Sequence, residues 1–209
     1  MSILLAIVIS YLFGSIPWAL IIGKTFFHKD IRKEGSGNLG ASNAGRVLGK
    51  PVAVIVTLLD ASKAFLSMLV TLYLAPEAIL YAGLACCFGH CFPIFAQFHG
   101  GKAVACSFGF FAGIAFFINH QYFWTFFWPI ICFFAILYLT RMVSISSILS
   151  MLIEAVTSFF LPNTGLEVSI CILVLWAFVT YRHRSNLQRI KNGTESKIKW
   201  IGALPNGKN

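Results

Sequence analysis

Residues Tyr122–Thr140 have the sequence YFWTFFWPIICFFAILYLT, a run of 19 residues without a charged side chain. About 20 apolar residues are enough for an α-helix to cross the hydrocarbon core of a bilayer. The whole chain shares this character, because hydrophobic residues make up 58% and charged residues 11% of its 209 residues. Roughly a quarter of the residues of an ordinary soluble domain are charged. The composition therefore excludes a soluble, disordered or coiled-coil protein and predicts an all-α polytopic membrane protein.

Six further apolar segments accompany this one and predict about seven transmembrane helices in a single integral membrane domain, residues 1–209. The predicted spans are Ile3–Gly23, Pro51–Ala75, Ile79–Phe98, Ala103–Ile118, Tyr122–Thr140, Ser146–Leu161 and Leu166–Tyr181. The fourth and sixth are short, so a count of five or six remains an alternative. We expect Pro17 to kink the first span, and residues 191–209 to form a polar cytoplasmic tail.

The basic residues predict the orientation of the chain. With seven spans, 15 of the 16 lysines and arginines fall on one side, in segments 24–50, 97–102 and 141–145 and in the tail from Arg182. Because basic loops stay in the cytoplasm, the N-terminus is predicted outside and the C-terminus inside the cell. The exception is Lys63 in the second span, which we expect to pair with Asp60 one turn away.

The net charge of +9 suggests anionic partners. Since the bases lie between hydrophobic spans, lipid headgroups or phosphorylated substrates fit better than nucleic acid. The six cysteines all lie in apolar segments, which favours small core side chains over disulfides or zinc ligands. Few carboxylates are available on the predicted cytoplasmic side, so no metal or other cofactor is expected.

Polar residues concentrate in three stretches on that side. The first is Gly35-Ser36-Gly37-Asn38-Leu39-Gly40-Ala41-Ser42-Asn43-Ala44-Gly45-Arg46. Closely spaced glycines let backbone N–H groups approach an anion, and an arginine offers a planar fork for phosphate oxygens. A phosphate-binding loop and a flexible basic loop between two helices are both compatible with this composition.

The second stretch contains His90 in GHCFP and then Gly100-Gly101-Lys102 at the start of a predicted span. Bare amides, a helix N-terminus and one ammonium together suit a phosphate group, although the P-loop spacing is absent. A histidine such as His90 can act as a base or ligand, or be buried against a carbonyl.

The third stretch runs from Arg182 to Glu195. If the last span continues as a helix, then His183, Asn186 and Arg189 share one face. A basic collar that binds lipid headgroups would explain the arginines but would not require this alignment. Ser144, Ser146 and Ser147 open the sixth span, where they could simply cap the helix.

These motifs, in their order, resemble those of the bacterial acyl-phosphate:glycerol-3-phosphate acyltransferases, the PlsY family. The resemblance covers nearly the whole chain and rests on GSIP (Gly14–Pro17), DIRKEGSGNLGASNAGR (Asp30–Arg46), LLDASK (Leu58–Lys63), GHCFP with GGK (Gly89–Lys102), VSISSI (Val143–Ile148), and RHRSN with GTE (Arg182–Glu195). The chain departs from the family in having alanine at Ala64 and Ala103, where glycine is usual.

The resemblance implies transfer of a fatty acyl group from acyl phosphate to the 1-hydroxyl of glycerol 3-phosphate, giving lysophosphatidic acid and phosphate. This is the first acylation step of bacterial phospholipid synthesis. It implies a multi-pass protein of the bacterial inner membrane whose active site faces the cytoplasm. The expected partners are acyl phosphate, glycerol 3-phosphate, the lipid bilayer and the enzyme that makes acyl phosphate. A transporter of organophosphates and a lipid-scaffolding protein remain the alternative classes.

We assign site residues on this basis as hypotheses. The catalytic candidates are His183, Ser36 and Lys102, and the proton of the attacking hydroxyl goes either to His183 or to a phosphate oxygen of the donor. The substrate-binding candidates are Gly35, Gly37, Asn38, Gly40, Asn43, Arg46, His90, Gly100, Gly101, Ser144, Ser147, Asn186, Arg189 and Glu195.

Overall fold

The computed structural model describes residues 2–198, and the regular structure of this part of the chain is entirely helical. The α-helices are α1 (Ile3–Gly14), α2 (Trp18–Phe27), α3 (Ala41–Val47), α4 (Lys50–Leu74), α5 (Ile79–Cys91), α6 (Val104–Ile114), α7 (Trp128–Thr140), α8 (Val143–Ser158), α9 (Leu166–Arg182) and α10 (Arg184–Lys191). Short 3-10 turns lie at Pro76–Ala78 and Ile94–Ala96, and π-helical turns at Ala115–Asn119 and Tyr122–Phe127. The prediction of an all-α fold is confirmed.

Helix length and composition identify the segments able to cross a membrane. Four qualify among the described residues: Ile3–Phe27, Lys50–Leu74, Pro76–Ala96 and Tyr122–Thr140. The bent pair α9 and α10 adds a fifth if it counts as one span, and Val104–Asn119 and α8 are shorter apolar helices. All seven predicted segments are thus helical, while seven complete crossings and their orientation stay predictions.

The outward surface is strongly apolar along several helices and in the turn after α8. Leu4, Tyr73, Leu139 and Phe160 have exposed fractions of 71%, 80%, 79% and 82%. Large contiguous apolar surfaces are rare on soluble monomers. Lipid would cover such side chains without a solvation penalty, which agrees with the membrane assignment made from composition.

The predicted kink at Pro17 is a complete break between α1 and α2. α1 ends at Gly14 and α2 begins at Trp18. Proline cannot donate a backbone hydrogen bond, so the α-helical ladder is interrupted there. The carbonyl oxygen of Ile16, which lies in this break, accepts a hydrogen bond from Lys63 Nζ at 3.1 Å.

The residues up to His120 form the first of two compact units. In it α4 packs against α3, α5 and α6, and α1 packs against α5. Small residues let these helices approach closely: a Cβ atom on Gly109 of α6 would overlap the carbonyl oxygen of Ala61 on α4. Such contacts are typical of helix packing within membranes.

The second unit begins at Gln121. α8 lies between α7 and α9 in the packing of this unit, and Trp176 Nε1 of α9 donates to the carbonyl of Ile148 on α8 at 3.1 Å. Glu154 on α8 is fully buried, and its carboxyl oxygens have no hydrogen-bond partner among residues 2–198. α8 therefore carries one buried acid that its neighbours do not satisfy.

Candidate active site

The glycine-rich loop between α2 and α3 is folded against its own polar side chains. Asp30 accepts hydrogen bonds from the backbone N–H of Arg32 at 3.1 Å and from its guanidinium at 3.0 and 2.7 Å. These side-chain hydrogen bonds hold the pKa of Asp30 well below its ordinary value, and Lys24 contributes in the same direction. The loop thus begins with a carboxylate that stays ionised.

Asn43 on α3 holds the middle of the loop from inside. Its buried amide donates to the carbonyls of Ile31 at 3.0 Å and Glu34 at 3.1 Å, and its Oδ1 accepts from the backbone N–H of Ser36 at 2.8 Å. A Cβ atom on Gly35, whose φ is +61°, would overlap Asn43 Oδ1. Both amide hydrogens of Asn43 therefore bond within the loop. The substrate contact that we predicted for Asn43 stays a prediction.

The side chains of Ser36 and Arg46 lie on the exposed side of the same structure. Arg46 is in the last turn of α3, a short helix that the sequence did not predict. Its guanidinium makes no hydrogen bond or ion pair with another residue of the described range 2–198. An exposed arginine in a fixed backbone position leaves its planar fork available for an anion.

The Gly100–Lys102 turn meets the glycine-rich loop through Asn38. Asn38 Nδ2 donates to the carbonyl of Gly100 at 3.3 Å, and its Oδ1 accepts from the backbone N–H of Gly40 at 2.9 Å. Lys102, the last residue of this turn, is half-buried. One asparagine therefore joins the first and second polar stretches, which are far apart in the sequence.

On its other side the turn rests on His90. The backbone N–H of Gly101 donates to the His90 carbonyl at 3.0 Å, and a Cβ atom on Gly101 would overlap His90 Nε2. The imidazole is buried, with Nδ1 3.4 Å from Asp60 Oδ1. His90 was predicted to bind substrate, and the structure places it beneath the turn.

Asp60 and Lys63 pair as predicted, with Oδ1 and Nζ 3.0 Å apart. Asp60, His90 and Cys106 each place one potential ligand atom within 4.8 Å of the others, a spacing compatible with a metal ion. The ammonium of Lys63 already lies against the Asp60 oxygen, and a second cation there would be repelled. The Cys106 thiol donates to the Asp60 carbonyl at 3.0 Å. These contacts favour an ion-pair network over a metal site.

The third polar stretch is organised by Glu195. Its carboxylate accepts hydrogen bonds from Ser144 Oγ at 2.8 Å, Asn186 Nδ2 at 2.6 Å and Arg189 Nε at 2.8 Å. Burial raises the pKa of Glu195, but these hydrogen bonds and the charge of Arg189 lower it by more, so the net shift is downward. Glu195 thereby fixes the positions of three predicted site residues, and its own predicted substrate contact stays a prediction.

The expectation of a helix that continues through His183 is wrong. The axes of α9 and α10 differ by 57°, and His183 lies between the two helices. Its backbone N–H still bonds to the carbonyls of Val179 and Thr180, while its own carbonyl already accepts from Asn186 and Leu187 N–H. His183 is therefore both the C-cap of α9 and the N-cap of α10, and its backbone N–H and carbonyl stay hydrogen-bonded although the chain turns there. Asn186 and Arg189 nevertheless keep a common face towards Glu195.

The His183 ring has a defined orientation. It is buried, and Nδ1 lies 2.8 Å from the carbonyl oxygen of Val179. A carbonyl can only accept, so Nδ1 carries the hydrogen and, in the neutral ring, Nε2 carries the lone pair. The imidazole is thus prepared to accept either a hydrogen bond or a proton at Nε2.

The serines at the start of α8 differ in what they contact. Ser147 Oγ donates to the carbonyl of Val143 at 2.7 Å and Ser146 Oγ to that of Met142 at 2.9 Å, each within the first turns of the helix. Ser144 instead contacts another predicted site residue, Glu195. For Ser146 and Ser147 this geometry agrees with the interpretation that they support the helix end.

A family model described as glycerol-3-phosphate acyltransferase matches residues 4–193. A glycerol-3-phosphate acyltransferase of Macrococcus caseolyticus is 42% identical over 201 residues, which cover 96% of this chain and 99% of that protein.

Two solved structures share the fold over almost their whole length. Both are crystal structures of PlsY (YgiH), an integral membrane glycerol 3-phosphate acyltransferase. The glycerol 3-phosphate form superposes with a TM-score of 0.85 at 30% identity and covers 95% of this chain and 96% of that one. The lysophosphatidic acid form gives a TM-score of 0.83 at 29% identity, with the same coverage.

Proposed function

Because this chain belongs to the glycerol-3-phosphate acyltransferase family, we propose that it uses acyl phosphate as donor and acylates the 1-hydroxyl of glycerol 3-phosphate. The products are lysophosphatidic acid and inorganic phosphate. The observation that carries the proposal is the junction of the glycine-rich loop with the Gly100–Lys102 turn through Asn38. This junction brings the segment that carries Lys102 next to the glycine-rich loop, where a cation can offset the charge of two anionic, phosphate-bearing substrates.

The chemistry needs little from the protein beyond positioning. The glycerol oxygen attacks the acyl carbonyl carbon, the bond from that carbon to the phosphate oxygen breaks, and phosphate leaves with the electron pair. Since the donor is an activated mixed anhydride, no covalent acyl-enzyme is required. Orientation of two bound reactants can remove about 7 kcal/mol or more of the barrier.

The first and second polar stretches carry the phosphate contacts in this proposal. Ser36, Asn38, Arg46 and Lys102 bind phosphate oxygens, and the cations offset the repulsion between the two anionic substrates. The planar fork of Arg46 suits a two-pronged contact, whereas Lys102 acts as a compact charge. The glycines Gly35, Gly37, Gly40, Gly100 and Gly101 leave room for the phosphate groups because they carry no side chain, while the N–H groups of Gly37, Gly40 and Gly101 donate within the protein.

The third polar stretch and the start of α8 carry the residues proposed to handle the glycerol moiety. His183 and Asn186 orient glycerol 3-phosphate, with Ser144, Ser147 and Arg189 assisting. The proton of the attacking hydroxyl passes either to His183 Nε2 or to a phosphate oxygen of the donor. The orienting role of His183 is favoured here, because Arg182 and Arg184 flank it and attract a phosphate that can take the proton itself.

The setting of the reaction follows from the apolar surface. The acyl chain of the donor and product lies in the lipid or in an apolar groove open to it, so no acyl carrier is needed. The protein acts in the bacterial inner membrane with its site facing the cytoplasm, and it couples to the enzyme that makes acyl phosphate.

One assay distinguishes this function from a transporter and from an acyltransferase with another donor. The purified full chain in detergent receives palmitoyl phosphate and glycerol 3-phosphate, and released phosphate and new lipid are measured. We expect both only when both substrates are present. Uptake of glycerol 3-phosphate into proteoliposomes without new lipid would instead indicate a transporter. Acyl transfer from a thioester or ester donor, with none from acyl phosphate, would contradict the donor assignment.

A further inference from the structure

We propose that the buried pair Asp60–Lys63 is a positioning device that acts through His90 on the turn carrying Lys102. This inference rests on the proposed function, because it assigns the pair a kinetic role in the same reaction. Neither Asp60 nor Lys63 would touch substrate. Both side chains are at most 3% exposed.

The network begins at the break between α1 and α2 and ends at the turn. Lys63 Nζ bonds to the carbonyl of Ile16 in that break and to Asp60 Oδ1. Asp60 Oδ1 also lies within 3.4 Å of His90 Nδ1. The opposite edge of the imidazole, Nε2, faces Gly101 directly, where no side chain could be added. A displacement of Asp60 would therefore shift the ring and, through it, the turn.

The turn needs such support because its backbone is strained. Gln97, Phe98 and Ala103 have φ values of +56°, +61° and +59°. Non-glycine residues rarely adopt this left-handed region and remain in it only where the surroundings hold them. Ala103 takes the place of the glycine usual in the family, so this chain carries more strain at the point where α6 begins.

Stability alone does not account for the pair. A buried ion pair generally contributes little net stability compared with apolar side chains of similar size, because both charges lose their solvation. What the pair does provide is a fixed position for the Asp60 carboxylate, which contacts His90 on α5. That property is useful where a lysine must meet a phosphate in one geometry.

The test removes both charges together, so that no uncompensated charge stays buried. The double variant Asp60→Asn/Lys63→Met is purified as the full chain and compared with Lys102→Ala. Lys102→Ala identifies the phosphate substrate whose KM depends on this lysine. For that same substrate, we expect the KM of the double variant to be about tenfold or more above that of the wild type. In a Lys102→Ala background the same double substitution should add less than about twofold, because it acts through that lysine.

A matched control is Ser62→Ala on the same helix, where the exposed hydroxyl bonds to the carbonyl of Leu58. It should leave KM unchanged. If the double variant does not fold, His90→Asn serves instead. Its amide occupies the position of Nδ1 and keeps the contact with Asp60, but it removes the ring edge that faces Gly101. It should produce the same KM change.

A second measurement does not depend on the donor. Hydrogen exchange at residues 97–103 should accelerate in either variant, while exchange within α4 stays slow. A folded variant with wild-type KM and unchanged exchange in the turn would overturn the inference. So would a KM effect that simply multiplies that of Lys102→Ala. If the wild-type chain does not use acyl phosphate, the proposed function fails, and the exchange measurement still decides the inference.

Discussion

Lys102 and Arg46 test the phosphate contacts one residue at a time. Loss of a preorganised donor to a developing charge costs about 10² to 10³ in rate, and we expect Lys102→Ala to lose that much kcat/KM while it stays folded. Arg46→Lys should lose about tenfold, since lysine cannot make the two-pronged contact. Lys33→Ala removes an exposed charge from the loop between α2 and α3 and is the matched control. Near-native turnover in both variants would remove the basis for the phosphate assignment.

His183 separates the two candidate bases. If the donor phosphate is the base, His183→Gln keeps a hydrogen bond, much of the rate and the limb of the pH profile, because the second ionisation of a phosphate ester falls near pH 6. If His183 is the base, the same variant loses about two to four orders of magnitude and the limb. A pH–rate profile distinguishes them, with exposed His99→Gln as the control. We expect the limb to persist.

At this scale the sequence predicts which residues gather but not which of their atoms are engaged. Asn43 and Asn38 belong to one motif, yet the amide of Asn43 is buried in the loop and that of Asn38 reaches Gly100. Both residues are asparagines in the same glycine-rich motif, so the sequence does not tell an amide that bonds within the loop from one that bonds to another segment. Only the course of the backbone decides whether an amide points inward or towards another segment.

The contact of α10 and the tail with α8 depends on one carboxylate. The pKa of Glu195 in the folded protein lies below its ordinary value of 4.5, so ionised Glu195 stabilises the fold above about pH 4.5 and this contribution is lost as the pH falls through the lowered pKa. Glu195→Gln should lose about 1–3 kcal/mol of stability at neutral pH.

The difference in thermal midpoint between wild type and Glu195→Gln should shrink in acid. Thermal unfolding in detergent at several pH values measures it, and Glu167→Gln, at the start of α9, is the control acid. A difference that stays constant down to acidic pH would show that the charge of Glu195 is not involved.

For Glu154 on α8 we predict the opposite effect, that removal of the acid stabilises the protein. Its buried carboxyl oxygens find no partner within residues 2–198, and an unsatisfied buried polar group costs roughly 1–3 kcal/mol. Glu154→Met keeps the shape without the polar atoms, so we expect a higher thermal midpoint and unchanged turnover. Ser158→Ala on the same helix removes a satisfied hydroxyl and should not raise the midpoint. A lower midpoint or lost activity in Glu154→Met would contradict this account.

The elements themselves were predictable where hydrophobicity decides them. The break at Pro17 and the Asp60–Lys63 pair follow from local chemistry, and the structure confirms both. The 57° bend at His183 and the short helix α3 were missed. Beside the bend, Asn186 bonds to Glu195, which also contacts Ser144 of α8, and periodicity within one segment does not contain such contacts. His90 and Asp60 meet for the same reason, 30 residues apart in the chain.

For the whole molecule, the charge distribution makes a topology prediction. With almost all lysines and arginines on one side, a C-terminal green fluorescent protein should fluoresce and a C-terminal alkaline phosphatase should be inactive, because the latter folds only outside the cytoplasm. A reporter at the N-terminus should show the reverse. Fusions in the turn near His120, which lacks basic residues, serve as the internal control. Both termini on the same side would require an even number of spans.

The pair on α4 has a consequence for how this chain enters the membrane. An aspartate or lysine at the centre of a helix costs roughly 2.5 to 3.5 kcal/mol during insertion by the translocon, so α4 is poorly suited to partition into lipid alone. The carbonyl of Ile16 has already been synthesised when Lys63 emerges from the ribosome, whereas His90 follows later. Lys63 can therefore be satisfied at once, and Asp60 gains its second partner when α5 arrives. The order of synthesis matches the order in which α4 needs its neighbours.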